Sequence, residues 1–247
     1  METRHTYPRV RSTLSTTILR RGSSRKRHTI RHARPLWTAL TLSLAAVVVL
    51  AALGGSPTHA APPTVAVFPL YPNPRFVPCL AASSTVPPQA RVEVNQGTPN
   101  DQLTLFISGV KPFLAFDLFT IEHSNLLPNG AVDPSFRNFG LAWYQSDMQA
   151  DSHGHAMVQI QSIFVNQIFG FDPTVGLGPT HTFHVGLWFN NPQDAQACGF
   201  DVTKPTPFNG EHKAGPNAMM SVPQATTGLG PLCLNPNTST SPATCNP

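Results

Sequence analysis

Apolar and polar residues alternate with period two through much of the stretch between positions 91 and 222. Leu103, Leu105 and Ile107 share one face of a run whose other face carries Gln102, Thr104, Phe106 and Ser108, the pattern of a half-buried strand. Gly109 and Pro112 end that run. From Phe113 to Ile121 both faces are apolar apart from Asp117, which predicts a central, bulged strand. Leu141 and Trp143 open another strand, which runs toward Asp147 and the polar turn Asp151-Ser152-His153-Gly154. Beyond the turn, Ala156, Val158 and Ile160 point one way and His155, Met157, Gln159 and Gln161 the other, so the two runs form a hairpin. Phe183, Val185, Leu187 and Phe189 then alternate with Thr182, His184, Gly186 and Trp188. Ser162 to Phe169 is the stretch that could instead form a short helix. Several short strands punctuated by Pro and Gly predict an all-β, antiparallel sandwich over residues 90–222.

The flanks have a different texture. Residues 61–89 contain eight prolines, from Pro62 to Pro88, and read as an extended linker or a strap laid over the domain. Residues 223–247 are rich in Pro, Thr, Ser, Asn and Gly, and read as an irregular, low-complexity tail. Residues 1–60 form a basic leader. Ten cations precede an uncharged apolar run from Leu36 to Leu53, and small residues follow, with Thr58 and Ala60 at positions suited to cleavage. The run is also just long enough to span a bilayer, so a retained signal anchor is the other reading. Either way the expected location is secreted or cell-surface, with membrane contact only through an uncleaved leader.

Two segments of the body resemble a known class. The stretch Leu103 to Phe119, a strand, Gly109-Val110-Lys111-Pro112 and a second strand, is similar to immunoglobulin-like β-sandwich modules of exported bacterial proteins. So is Trp143 to Val158, two strands about the Asp151-Ser152-His153-Gly154 turn. The Cys-Trp-Cys signature of immunoglobulins is missing, because no cysteine lies between Cys79 and Cys198. The resemblance implies an immunoglobulin-like fold and no activity, since sandwiches host many functions.

Charge sharpens the picture. The whole chain has a formal charge of +4, but residues 61–247 hold six basic and eleven acidic side chains, a charge of −5. A body so poor in Lys and Arg is not built to hold nucleic-acid phosphates. The four cysteines, Cys79, Cys198, Cys233 and Cys245, all follow the leader. An even number in an exported chain predicts two disulfides, and the sequence leaves all three pairings open.

Three groups of residues are candidates for chemistry. His153, His155 and His184 are the candidate ligands of a copper or zinc ion, which would make a metal-binding sandwich; His181 is three residues from His184 and so faces the other way on a strand. Trp188 and Trp143, near Asn190, Asn191 and Gln193, are the candidate platform of a carbohydrate-binding module. Glu211 and His212 are adjacent, but neighbours on an extended chain point apart. No Gly-x-Ser-x-Gly, His-Glu-x-x-His or Gly-x-x-x-x-Gly-Lys motif occurs. The expected function is therefore an exported, non-catalytic binding or structural module without a cofactor, whose partner is an extracellular protein or glycan.

Overall fold

In the computed structural model the described residues are 64–167, 171–176, 178, 180–206 and 213–246. All of them belong to the second of the two compact units into which the chain divides, at His59/Ala60. The leader, and with it the apolar run Leu36 to Leu53, lies outside the described residues, as do Glu211 and His212. No helix among the described residues is long and apolar enough to cross a membrane.

Eight strands form one antiparallel sheet: β1 (Thr64–Pro72), β2 (Gln89–Asn95), β3 (Asp101–Ser108), β4 (Ala115–Ile121), β5 (Ala142–Gln149), β6 (Ala156–Ser162), β7 (His184–Phe189) and β8 (Asn217–Met220). Their order across the sheet is β5-β4-β7-β8-β1-β2-β3-β6. Two-residue strands β9 (Pro236–Asn237) and β10 (Thr244–Cys245) pair with each other near the C-terminus. One short helix, α1 (Val77–Leu80), follows a 3-10 turn over Pro74–Phe76, and a second 3-10 turn spans Pro192–Cys198.

The fold is all-β, and the sheet curls almost into a barrel. Its weakest seam is the β1–β8 join, where only Tyr71↔Met220 and Pro72↔Met219 are in register. By contrast β1 pairs with β2 from Thr64 to Leu70. In the sheet order β1, β2, β3 and β6 lie on one side of the β1–β8 join, one half, and β4, β5, β7 and β8 on the other. Val92, Val94, Leu103 and Leu105 from one half pack with Phe116, Leu118, Val185 and Leu187 from the other, all at 1% exposure or less. Of these, Leu103, Leu105, Val185 and Leu187 are residues that the alternating pattern turns inward.

The flanking segments depart from the expected linker and tail. Thr64–Pro72 is a strand inside the sheet, not a strap over it. Pro69 lies where β1 has no β8 partner, an edge-like position that tolerates proline, whereas Pro72 is itself in register with Met219 at the end of the strand. Residues 73–80 then dock on the end of β7: Phe76 meets the Phe189 ring edge-on at 6.0 Å, and the Cys79–Cys198 disulfide ties α1 to the second 3-10 turn. In the C-terminal stretch Leu232 and Cys233 are buried. The Leu232 amide donates to the Phe183 carbonyl at 3.0 Å, and its own carbonyl accepts from the Asn166 amide at 2.9 Å. The Cys233–Cys245 bridge closes this segment on itself. No helix forms over residues 162–167, the described part of the stretch with helical potential. The chain there turns because the Asp101 carboxylate takes the Phe164 and Val165 amides, both at 2.9 Å. The two disulfides fit an oxidising, extracellular setting.

Candidate functional site

The β4–β5 connection, residues 122–141, is too long to be a simple turn, and connections of this length are usually functional. It folds over the outer face of β4 and β7 and builds a second, smaller core of Phe119, Ile121, Leu126, Trp188, Ala214 and Met220. A relay of rings holds it down. Tyr144 packs on Phe119 at 5.6 Å, Phe119 on Trp188 at 5.2 Å, Trp188 on Phe139 at 5.0 Å, and Phe139 on Phe136 at 4.7 Å. The loop closes through paired backbone bonds, with the Glu122 amide to the Leu141 carbonyl at 3.1 Å and the His123 amide to the Phe139 carbonyl at 3.0 Å.

Where the loop leaves and rejoins the sheet, a pocket of about 390 Å³ opens. Its lining includes Glu122, His123, Asp133, Phe136, Arg137 and Asn138 from the loop, with His184 from β7. His184 is 3% exposed. Its Nδ1 lies 3.1 Å from the Ser221 hydroxyl, which also accepts the Val185 amide at 3.0 Å. Burial above all lowers the His184 pKa to about 4, against a hydrogen bond to the Ser221 backbone that raises it and with a smaller lowering from neighbouring His123. At neutral pH the ring is therefore uncharged.

The loop residues have divided duties. One Glu122 oxygen, Oε2, accepts the Leu141 amide at 2.6 Å. Asp133 Oδ1 caps the Ser135 amide at 2.8 Å and its hydroxyl at 2.7 Å, and these bonds hold the carboxylate below its ordinary pKa. Asn138 Oδ1 accepts the Gly140 amide at 3.0 Å. Each side chain spends one polar atom on shaping the loop, and none of Glu122 Oε1, Asp133 Oδ2 and Asn138 Nδ2 has a hydrogen bond to another described residue. Arg137 has no ion-pair partner among the described residues. Ser124, also in the lining, is buried with its hydroxyl donating to the Ser221 carbonyl at 2.8 Å and accepting the Leu126 amide at 3.1 Å.

A larger hollow of about 530 Å³ lies on β1, β2 and β3 and is lined by Val67, Tyr71 and Phe106 among others. Its one cation, Arg91, is engaged by Glu93. It offers surface rather than convergent polar groups.

The expected site residues scatter. His153 and His155 sit on the exposed β5–β6 turn, where both backbone amides donate to Asp151 Oδ1, at 2.8 and 3.0 Å. His184 pairs with Ile121 at one end of β4, whereas the β5–β6 turn lies beyond the other end, where Ala115 pairs with Gln149. The length of β4, about 20 Å at ordinary strand rise, separates the two ends. His155 and His184 do not meet, because β6 and β7 stand in different halves of the sheet. The described residues hold no group of three or more His, Cys, Asp or Glu placed to bind a metal ion. Trp188 does lie on the outward face of β7, as its parity requires, but the 122–141 loop covers that face and leaves the ring fully buried. Trp143 is 49% exposed on β5. The cysteines form Cys79–Cys198 and Cys233–Cys245. Glu122, His123, Asp133, Arg137 and Asn138 were not singled out in the sequence, since they follow no motif spacing. The signal present was a run of polar residues in a long interval between two strands.

No family model, curated protein or solved structure matches this chain.

Proposed function

We propose that the chain is an exported, non-catalytic β-domain of the immunoglobulin-like sandwich type, and that it binds an extracellular partner through the pocket under the 122–141 loop. The observation that supports this reading is the pocket's composition. A nearly buried, neutral imidazole with its Nδ1 anchored on Ser221 lines it, and loop side chains keep polar atoms to spare around it. His184 and Ser124 are buried at the pocket floor, while Glu122 and Asp133 are half-buried and His123, Arg137 and Asn138 exposed around it, so a buried ring sits behind an open polar rim, the form of a site for a small ligand. The hydroxyls in and behind the pocket, Ser124 and Ser221, are engaged in the backbone and are not disposed as nucleophiles. Export is supported by the basic and apolar leader and by two disulfides.

The test is ligand-observed NMR on the purified full chain with a library of small neutral, anionic and cationic compounds. Saturation transfer that disappears on Arg137→Ala supports the reading. A library in which no compound loses its signal with that substitution overturns it.

A further inference from the structure

Resting on that reading of the pocket, we infer that its ligand is a neutral, hydroxyl-rich ring, such as the terminal sugar of a glycan. Charge is the first argument. Two carboxylates, Glu122 and Asp133, share the pocket with the Arg137 guanidinium and the His123 imidazole. An anionic ligand would meet both carboxylates, and an ammonium ligand would meet the guanidinium. An unpaired like charge costs affinity against either. A ligand without formal charge meets neither penalty.

Hydrogen-bond valence is the second argument. Nδ2 of Asn138 and the guanidinium of Arg137 can only donate, while the spare oxygens of Glu122 and Asp133 can only accept. A hydroxyl both donates and accepts. Adjacent hydroxyls on one ring therefore satisfy a mixed set of this kind, which a carboxylate or an amine alone cannot. The Phe136 ring is the third argument. It is half-buried in the pocket wall and braced by Phe139, so it presents an apolar face to the C–H side of a sugar ring. Size is the last. At about 390 Å³ the pocket is near the small end of the usual ligand range, roughly 300–1,000 Å³, which suits one ring rather than a run of a polymer.

Single sugars bind weakly, with dissociation constants on the order of 1 mM, about −4 kcal/mol, so the experiment uses a method that reads weak complexes. The full chain is mixed in turn with methyl glycosides of neutral hexoses, with sodium acetate, with inorganic phosphate and with methylammonium, and saturation transfer is recorded. At least one methyl glycoside is expected to give a signal that falls tenfold or more in both Arg137→Ala and Asp133→Asn. The second variant keeps an oxygen to cap Ser135, so the loop is retained. Acetate, phosphate and methylammonium are expected to give none. Arg137-dependent binding of an ion with no such binding of any glycoside would overturn the neutral-ring inference and leave the binding reading standing. A glycoside signal that survives both substitutions places the sugar elsewhere and also overturns it. Silence from every probe would overturn the neutral-ring inference, while the binding reading stands or falls on the library.

Discussion

The His184 ring and the Ser221 hydroxyl, 37 residues apart in the chain, lie 3.1 Å from each other with both side chains buried. Burial of that ring makes stability depend on acid. His184 titrates near pH 4 when folded and near 6.5 when exposed, so the unfolded chain takes up a proton first as pH falls. Its neutral form is no burden above pH 6.5. Stability is lost below that value until pH passes about 4, and roughly 2 kcal/mol of the loss falls between pH 6.5 and 5. Urea unfolding at a series of pH values should show this slope, and His184→Gln should flatten it. An unchanged slope in the variant would mean the ring is not the titrating group.

Asp101 accepts three backbone amides: Gly97 on one oxygen, Phe164 and Val165 on the other. Asp101→Ala strands them, two from Phe164 and Val165 in a largely buried setting. We expect a loss of about 3 kcal/mol, read as a lower urea midpoint at unchanged slope. A shift below 1 kcal/mol would show that water replaces the carboxylate without cost.

The Cys79–Cys198 bridge spans 119 residues and holds the 73–80 segment on β7. Removing both sulfurs with Cys79→Ser and Cys198→Ser should cost about 4 to 5 kcal/mol by loop-closure entropy. The Cys233–Cys245 bridge spans 12 and should cost about 3 kcal/mol or less when removed in the same way. Guanidinium midpoints of the two double variants test the ranking.

Gly140 and Gly176 have nearly the same left-handed backbone, φ +67° and +72°. A Cβ on Gly176 meets nothing within 4 Å, whereas on Gly140 it would lie 2.8 Å from the Glu122 Cβ and overlap its Oε2. Gly176→Ala carries backbone strain alone, about 1 kcal/mol. Gly140→Ala adds displacement of Glu122 from the pocket. We expect a larger drop in melting temperature and loss of the ligand signal only in Gly140→Ala. Equal effects would mean that Glu122 is free to move aside.

Periodicity carried much of this structure. Leu103, Leu105 and Ile107 on β3, and Val185, Leu187 and Phe189 on β7, are buried on the face their parity assigns. Parity also put His184 and Trp188 together on the opposite face of β7. What it could not tell is that a twenty-residue loop covers that face, because Phe136 and Phe139 reach Trp188 through tertiary packing and not through a repeating pattern. β1 was hidden for a local reason, since Pro69 and Pro72 mask its strand character. The pocket was hidden for a topological one. Glu122, Arg137 and His184 become neighbours only when β4 and β7 pair.

The two-residue β1–β8 join has a consequence for biogenesis. A ribosome delivers β1 early and β8 nearly 150 positions later, so β1 can pair with β2 and β3 as a local meander long before its other partner exists. Throughout that interval its second side is exposed to any other nascent strand. Pro69 lies in the stretch of β1 that has no β8 partner, and a proline there lacks the amide that such pairing needs. A residue that disguises this strand is well placed to guard it until its own C-terminal half arrives.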